Sequence, residues 1–134
     1  MALDVPLLRN SFDLVLERNP SLTARFYEIL FERYPRAQPL FRRNTAKQQE
    51  TMLAQALLAV MDHLEDAPWL QQTLSALGAK HVGYGVTREM YDWVGDALLA
   101  AMAEAAGKDW SPKLAEQWTE AYGAIVSMML PAPR

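Results

Sequence analysis

Apolar residues recur at intervals of three and four along most of this sequence, and no segment alternates apolar with polar residues in twos. That pattern admits helices packed through one face and argues against a sheet. The punctuation divides the chain. Asp4 is a good N-cap, with Pro6 tolerated in the first turn, and Leu8, Phe12, Val15 and Leu16 then share a face. Asn19-Pro20 closes that helix, and a second is expected over residues 21–34, with Leu22, Phe26, Tyr27, Leu30 and Phe31 on its apolar side. Pro35 and Pro39 permit only a tight turn or a 3₁₀ piece ending at Phe41. "RRNTAK" reads as a loop, followed by a long helix over 47–64 with the stripe Gln49, Leu53, Ala56, Leu57, Val60 and Leu64. A shorter helix carries Leu70, Leu74, Leu77 and His81. Thr87 opens a fifth helix, with Tyr91, Val94, Leu98 and Met102 at helical spacing, and Gly107 stops it. Ser111-Pro112 starts the last, which carries Leu114, Trp118, Tyr122, Ile125 and Met129 and ends at Pro131. The expectation is an all-α fold of six to seven helices.

With 134 residues and no linker-like stretch, one domain over 1–134 is expected. A formal charge of -3 argues against a sequence-independent nucleic-acid binder, which needs a concentrated basic face. The absence of cysteine excludes disulfides, thiolate metal sites and cysteine nucleophiles, and fits a reducing, cytoplasmic setting. The first twenty residues do not read as a signal peptide, because Asp4, Asp13 and Glu17 interrupt the apolar run. "AYGAIVSMMLPAP" is too short to span a bilayer, so no membrane partner is expected. Neither G-x-G-x-x-G nor G-x-x-x-x-G-K-[ST] occurs.

Three polar residues interrupt the apolar stripes: His81 ends one, Gln49 heads another, and Tyr27 sits among Phe26, Leu30 and Phe31. A buried polar group left unpaired costs about 1–3 kcal/mol, so each needs a partner. Each has an ordinary reading. A helix-end histidine is commonly structural, tyrosine commonly packs with its hydroxyl reaching water, and a glutamine at a helix start can satisfy backbone amides. His63, beside Asp62 and Glu65, reads as a solvated residue near a helix end. The three taken together also suit a flat iron cofactor. One imidazole nitrogen would ligate iron while the other donates to a carbonyl one turn back, such as that of Leu77. Tyr27 and Gln49 would donate to a gas on the opposite face, where dioxygen acquires negative charge, at about 1–3 kcal/mol per hydrogen bond.

The residues also resemble a family. "RFYEILFERYPRAQPLF", "KQQETMLAQALLAV", "LGAKHVGYGVTREMYDWVGDALL" and "WTEAYG" together are similar to bacterial single-domain globins and to the globin part of flavohaemoglobins, over nearly the whole chain. The resemblance implies a globin fold around haem b. It places the iron-ligating histidine at His81, the distal tyrosine at Tyr27 and the corner phenylalanine at Phe41. Gln49 takes the distal glutamine, with Gln48 as the alternative. Leu53 lies over the haem, and Tyr91 matches a proximal-side tyrosine. Leu57, Val86, Val94 and Leu98 are candidate pocket lining, and Arg43, Lys47 and Lys80 candidate propionate partners. Gly83 and Gly85 are expected to turn the chain beneath the ring.

The function this resemblance implies is that of a bacterial haemoglobin binding dioxygen reversibly, in the manner of oxygen transport, with nitric oxide and carbon monoxide as further ligands. The alternatives are nitric oxide detoxification by a nitric oxide dioxygenase fed by a separate reductase, a haem-based gas sensor, and a helical module without cofactor. Two departures bear on this. Flavohaemoglobins carry a flavin and nicotinamide reductase module, and these residues contain none, so turnover would need an outside electron donor. The family pairs its proximal tyrosine with a late glutamate, and that slot falls on Pro133. The histidine should therefore push less electron density to iron.

Overall fold

The computed structural model describes residues 3–42 and 44–130. Its elements are α1 (Val5–Arg18), α2 (Leu22–Arg33), a 3₁₀ turn (Pro35–Phe41), α3 (Ala46–Asp62), α4 (Ala67–Gly83), α5 (Arg88–Ala106), a short 3₁₀ turn (Gly107–Asp109) and α6 (Pro112–Met129). No strand occurs among the described residues, as the periodicity requires. Helix starts follow the anticipated chemistry. The Asp4 carboxylate accepts from the Leu7 N–H, and the Ser111 hydroxyl accepts from the Leu114 N–H. Thr45 and Gln48 exchange hydrogen bonds in a capping box that starts α3. The expected stop at Pro131 lies outside the described residues, and α6 ends at Met129.

One expectation fails. Apolar spacing predicts a shorter helix for α4 than for α3, yet both have 17 residues. The leucine stripe begins only at Leu70, but the Asp66 carboxylate accepts from the Trp69 N–H and starts the helix at Ala67. Capping chemistry, not apolar spacing, sets that boundary.

The core is built where α2 crosses α5. Leu22, Phe26 and Leu30 of α2 meet a face of α5 containing Ala97, Ala101 and Met102, with Leu8 and Val15 of α1 behind. The alanines let the helix axes come close. Trp118 of α6 reaches α1, where its indole N–H donates to the Ser11 hydroxyl at 2.9 Å, and Ser11 donates onward to the Leu8 carbonyl. α4 packs mainly on α6 and α3 mainly on α2. Although consecutive, α3 and α4 make at most slight contact with each other. Only Val60 and Met61 of α3 are fully buried, and Leu53, Leu57 and Leu64 are packed against the core but only partly covered.

Candidate functional site

His81 stands near the end of α4, half-buried, with Nδ1 2.8 Å from the Leu77 carbonyl. A helix brings residues i and i−4 together, so this bond follows from local geometry. It makes Nδ1 the donor and leaves Nε2 as the nitrogen able to ligate a metal. α4 then closes sharply: the Val86 N–H returns to the His81 carbonyl at 3.0 Å, with Gly85 at φ 86°. That positive φ suits glycine. Gly83, expected to share the turn, is instead the last helical residue. The Tyr91 ring lies 6.2 Å from the His81 ring, inclined by 27°. Tyr122 of α6 donates to the Tyr91 carbonyl at 2.6 Å, and Gly95 makes room for the Tyr122 ring. The slot at Pro133 lies outside the described residues.

His63 tests how much the imidazole–carbonyl bond means. It makes the same contact, Nδ1 to the Ala59 carbonyl at 2.8 Å. It is not simply solvated as expected: its ring stacks on Trp69 at 3.7 Å, with planes 9° apart. One face of His63 is thus taken by an indole. His81 has no ring at that distance, its neighbours Tyr91 and Tyr84 lying at 6.2 and 6.3 Å.

The other group assembles around Tyr27. Its ring is held by Phe26 at 4.8 Å, Phe41 at 5.4 Å and Phe31 at 5.8 Å. A cavity of about 280 Å³ opens between α2, the 3₁₀ turn and the start of α3, with Tyr27, Phe31, Phe41 and Gln49 in its wall together with Gln38, Arg42, Ala46 and Glu50. Gln49 faces this cavity, whereas the Gln48 side chain is committed to the cap of α3. The Asn44 amide donates to Gln49 Oε1 at 2.9 Å, which turns the Gln49 NH₂ toward the remaining side. Burial pushes the Tyr27 phenol up to about 12, a hydrogen bond from Gln49 works against that rise, and the nearby Glu50 charge adds to it. Tyr27 therefore stays a protonated donor throughout the neutral range.

The remaining candidates divide. Leu53, Leu57, Val86 and Val94 are half-buried, and Leu98 and Tyr91 are buried. None of them, nor His81, belongs to the wall of the Tyr27 cavity. The structure thus brings Tyr27, Phe41 and Gln49 into one group and His81 with Tyr91 into another. Lys47 and Lys80 are exposed, and Arg43 lies outside the described residues. Sequence reading missed Asn44, Gln38, Arg42 and Glu50. They sit on a turn or off the apolar stripe, where periodicity carries no signal.

Burial raises the phenols of Tyr91 and Tyr122 as well as that of Tyr27. An unfolded tyrosine ionises near 10. The fold favours the neutral phenols, so their contribution is complete below pH 10 and is lost as pH rises through the folded values. The urea midpoint should accordingly hold to about pH 9 and fall steeply by about pH 11. A midpoint flat across that interval would show that these phenols are accessible when folded.

The fit to a planar iron group can be judged on this geometry. An imidazole with one nitrogen already committed, partly covered apolar residues on α3 and α5, and the donors Tyr27 and Gln49 in a cavity wall suit haem ligated from α4. No group of three or more His, Cys, Asp or Glu side chains among the described residues could hold a bare metal ion. No described helix is long and apolar enough to cross a membrane.

Comparison with known proteins agrees with this fold. The family model described as Globin matches residues 24–129. A flavohemoprotein of Chromobacterium violaceum is 31% identical over 126 residues, covering 92% of this chain and 31% of its own length. The chain therefore spans about a third of such curated relatives. Among solved structures, an engineered carbene transferase from Rhodothermus marinus, derived from a candidate nitric oxide dioxygenase, superposes with a TM-score of 0.80 at 29% identity, covering 93% of this chain and 87% of that one. A bacterial globin from Campylobacter jejuni gives a TM-score of 0.76 at 27% identity, covering 93% and 90%.

Proposed function

The chain belongs to the globin family, and on that premise we propose that it holds haem between α3 and α4 and binds dioxygen reversibly. The observation that carries this reading is the pair of polar groups that the fold builds among apolar residues: His81, with Nδ1 tied to the Leu77 carbonyl and Nε2 left over, and the Tyr27–Gln49 donor pair in the wall of a cavity. When bound, haem would supply an iron able to bind a diatomic gas. The protein's own groups do the rest. His81 would ligate through Nε2, and the Leu77 carbonyl fixes its ring plane and raises its basicity. Leu53, Leu57, Val94 and Leu98 would keep water from the haem, and Phe41 would wedge against its face. Lys47 and Lys80, both exposed, would meet the propionates. Tyr27 and Gln49 donate to the gas, and carbon monoxide and nitric oxide would enter the same space.

The test is an absorption spectrum of purified protein loaded with haem: ferric, then reduced, then exposed to carbon monoxide and oxygen. A Soret band that moves with each ligand is expected. In His81→Ala the reduced protein should lose the five-coordinate histidine spectrum and regain it when imidazole is added. A protein that takes up no haem, or an alanine variant spectrally identical to the parent, overturns the reading.

A second reading is favoured by the relatives: nitric oxide dioxygenation. Nitric oxide and dioxygen meeting beside Tyr27 would combine with one electron drawn from ferrous iron to give nitrate, so repeated turnover requires a reductase. Mixing the oxygen-loaded protein with nitric oxide should give nitrate and the ferric spectrum in one turnover. Release of unchanged oxygen would leave carriage as the function.

A further inference from the structure

The net charge of -3 conceals a strong division. The segments 36–50 and 77–91 carry Phe41, Gln49, His81, Val86 and Tyr91. Together they hold six basic residues against two acidic ones, Glu50 and Glu89. The rest of the chain holds seven basic and fourteen acidic residues. The two segments are therefore net +4 in sequence, against -7 for the rest of the chain.

Ion pairing sharpens the contrast. Arg9, Arg18, Arg25 and Arg33 are spent on Glu65, Asp109, Glu104 and Asp96. Within the two site segments, Arg36 and Glu89 approach to 4.0 Å and cancel each other. Arg42, Lys47, Lys80 and Arg88 are all exposed, and none forms an ion pair with another described residue. Arg42 and Lys47 lie on the α3 side, immediately before Gln49. Lys80 and Arg88 lie on the α4–α5 side, flanking His81 and Val86. Two haem propionates would neutralise at most two of these charges.

Resting on the haem reading above, we propose that this basic rim is the docking surface for an electron-donor protein whose redox centre is surrounded by acidic residues. One electron would pass from the reduced donor to ferric iron, with no atom transferred, so the donor is oxidised by one electron and the iron is reduced to ferrous. Charge is the argument for the partner. At physiological salt the screening length is about 8 Å. A docking protein therefore senses the rim beneath it and little of the distant acidic surface. A few charges on an acidic molecule do not make the continuous stripe that a nucleic acid needs.

The sign of the salt effect decides the matter. Reduced cytochrome b5, an acidic one-electron donor, is mixed with the ferric haem-loaded protein, and the second-order rate is followed from about 20 to about 300 mM salt. If the rim governs docking, the rate falls by about tenfold or more across that range. In Lys47→Gln/Lys80→Gln/Arg88→Gln the low-salt rate drops and most of the salt dependence disappears. The single Arg88→Gln variant gives a partial effect should the triple variant load poorly. If net charge governs, two acidic proteins repel, the rate rises with salt, and the proposal is overturned. A rate indifferent to salt overturns it too, and assigns these side chains to the propionates alone. Failure of the underlying haem reading shows itself separately, as a protein without a Soret band.

Discussion

Tyr27→Phe should speed dioxygen release by roughly 5- to 150-fold, the range set by removing one hydrogen bond of about 1–3 kcal/mol. The substitution is clean because the ring is held by Phe26, Phe31 and Phe41, so phenylalanine keeps the packing and loses only the hydroxyl. Gln49 remains, with its NH₂ oriented by Asn44, so release accelerates without becoming uncontrolled. Displacement of bound dioxygen by excess carbon monoxide in a stopped-flow instrument measures the rate directly. An unchanged rate in a variant that melts like the parent would remove Tyr27 from the function.

Gly78→Ala should destabilise the fold by about 3 kcal/mol or more, with a loss of haem affinity. A Cβ at Gly78 would stand 1.8 Å from the Met129 carbonyl oxygen, 2.6 Å from its carbon and 2.7 Å from its Cα. All three are backbone atoms and cannot rotate away, so α4 and α6 must separate. Replacing a helical glycine by alanine ordinarily gains about 0.5–1 kcal/mol, and here steric overlap outweighs that gain. His81 lies three residues further along α4, so displacement of the helix moves the imidazole. Gly123→Ala on α6 is the control, since nothing lies within 4 Å of the new methyl. Urea titration should find Gly123→Ala as stable as the parent or better, and Gly78→Ala far worse. Equal stability of the two variants would refute the close approach of α4 and α6.

These two cases also mark what a sequence can reveal on its own. Tyr27, Gln49 and His81 are legible because each puts a polar head into an apolar stripe. The His81–Leu77 bond is legible because i and i−4 are neighbours on any helix. Gly78 gives a weaker signal: a glycine amid Leu77 and Ala79 costs helix stability, which is tolerated where another backbone comes close. Its partner Met129 lies 51 positions away, and periodicity carries no information on how one helix registers against another. The same holds for Tyr122 on the Tyr91 carbonyl. Asn44 escapes because it lies in a loop. Glu50 escapes because it falls just off the stripe that Gln49 heads.

The partial cover of α3 has a consequence for how the molecule breathes. With only Val60 and Met61 fully buried, and Leu53 and Leu57 half-covered, this helix gains less from the rest of the fold than a fully enclosed one. Its local opening free energy should lie well below that of α5, where Ala97, Leu98, Ala101 and Met102 are all enclosed. A group seated against the exposed parts of Leu53 and Leu57 would complete their burial and stabilise the closed form by mass action. On the haem reading, cofactor loading and the ordering of α3 would be one equilibrium, and Gln49 would take its place only as that equilibrium closes.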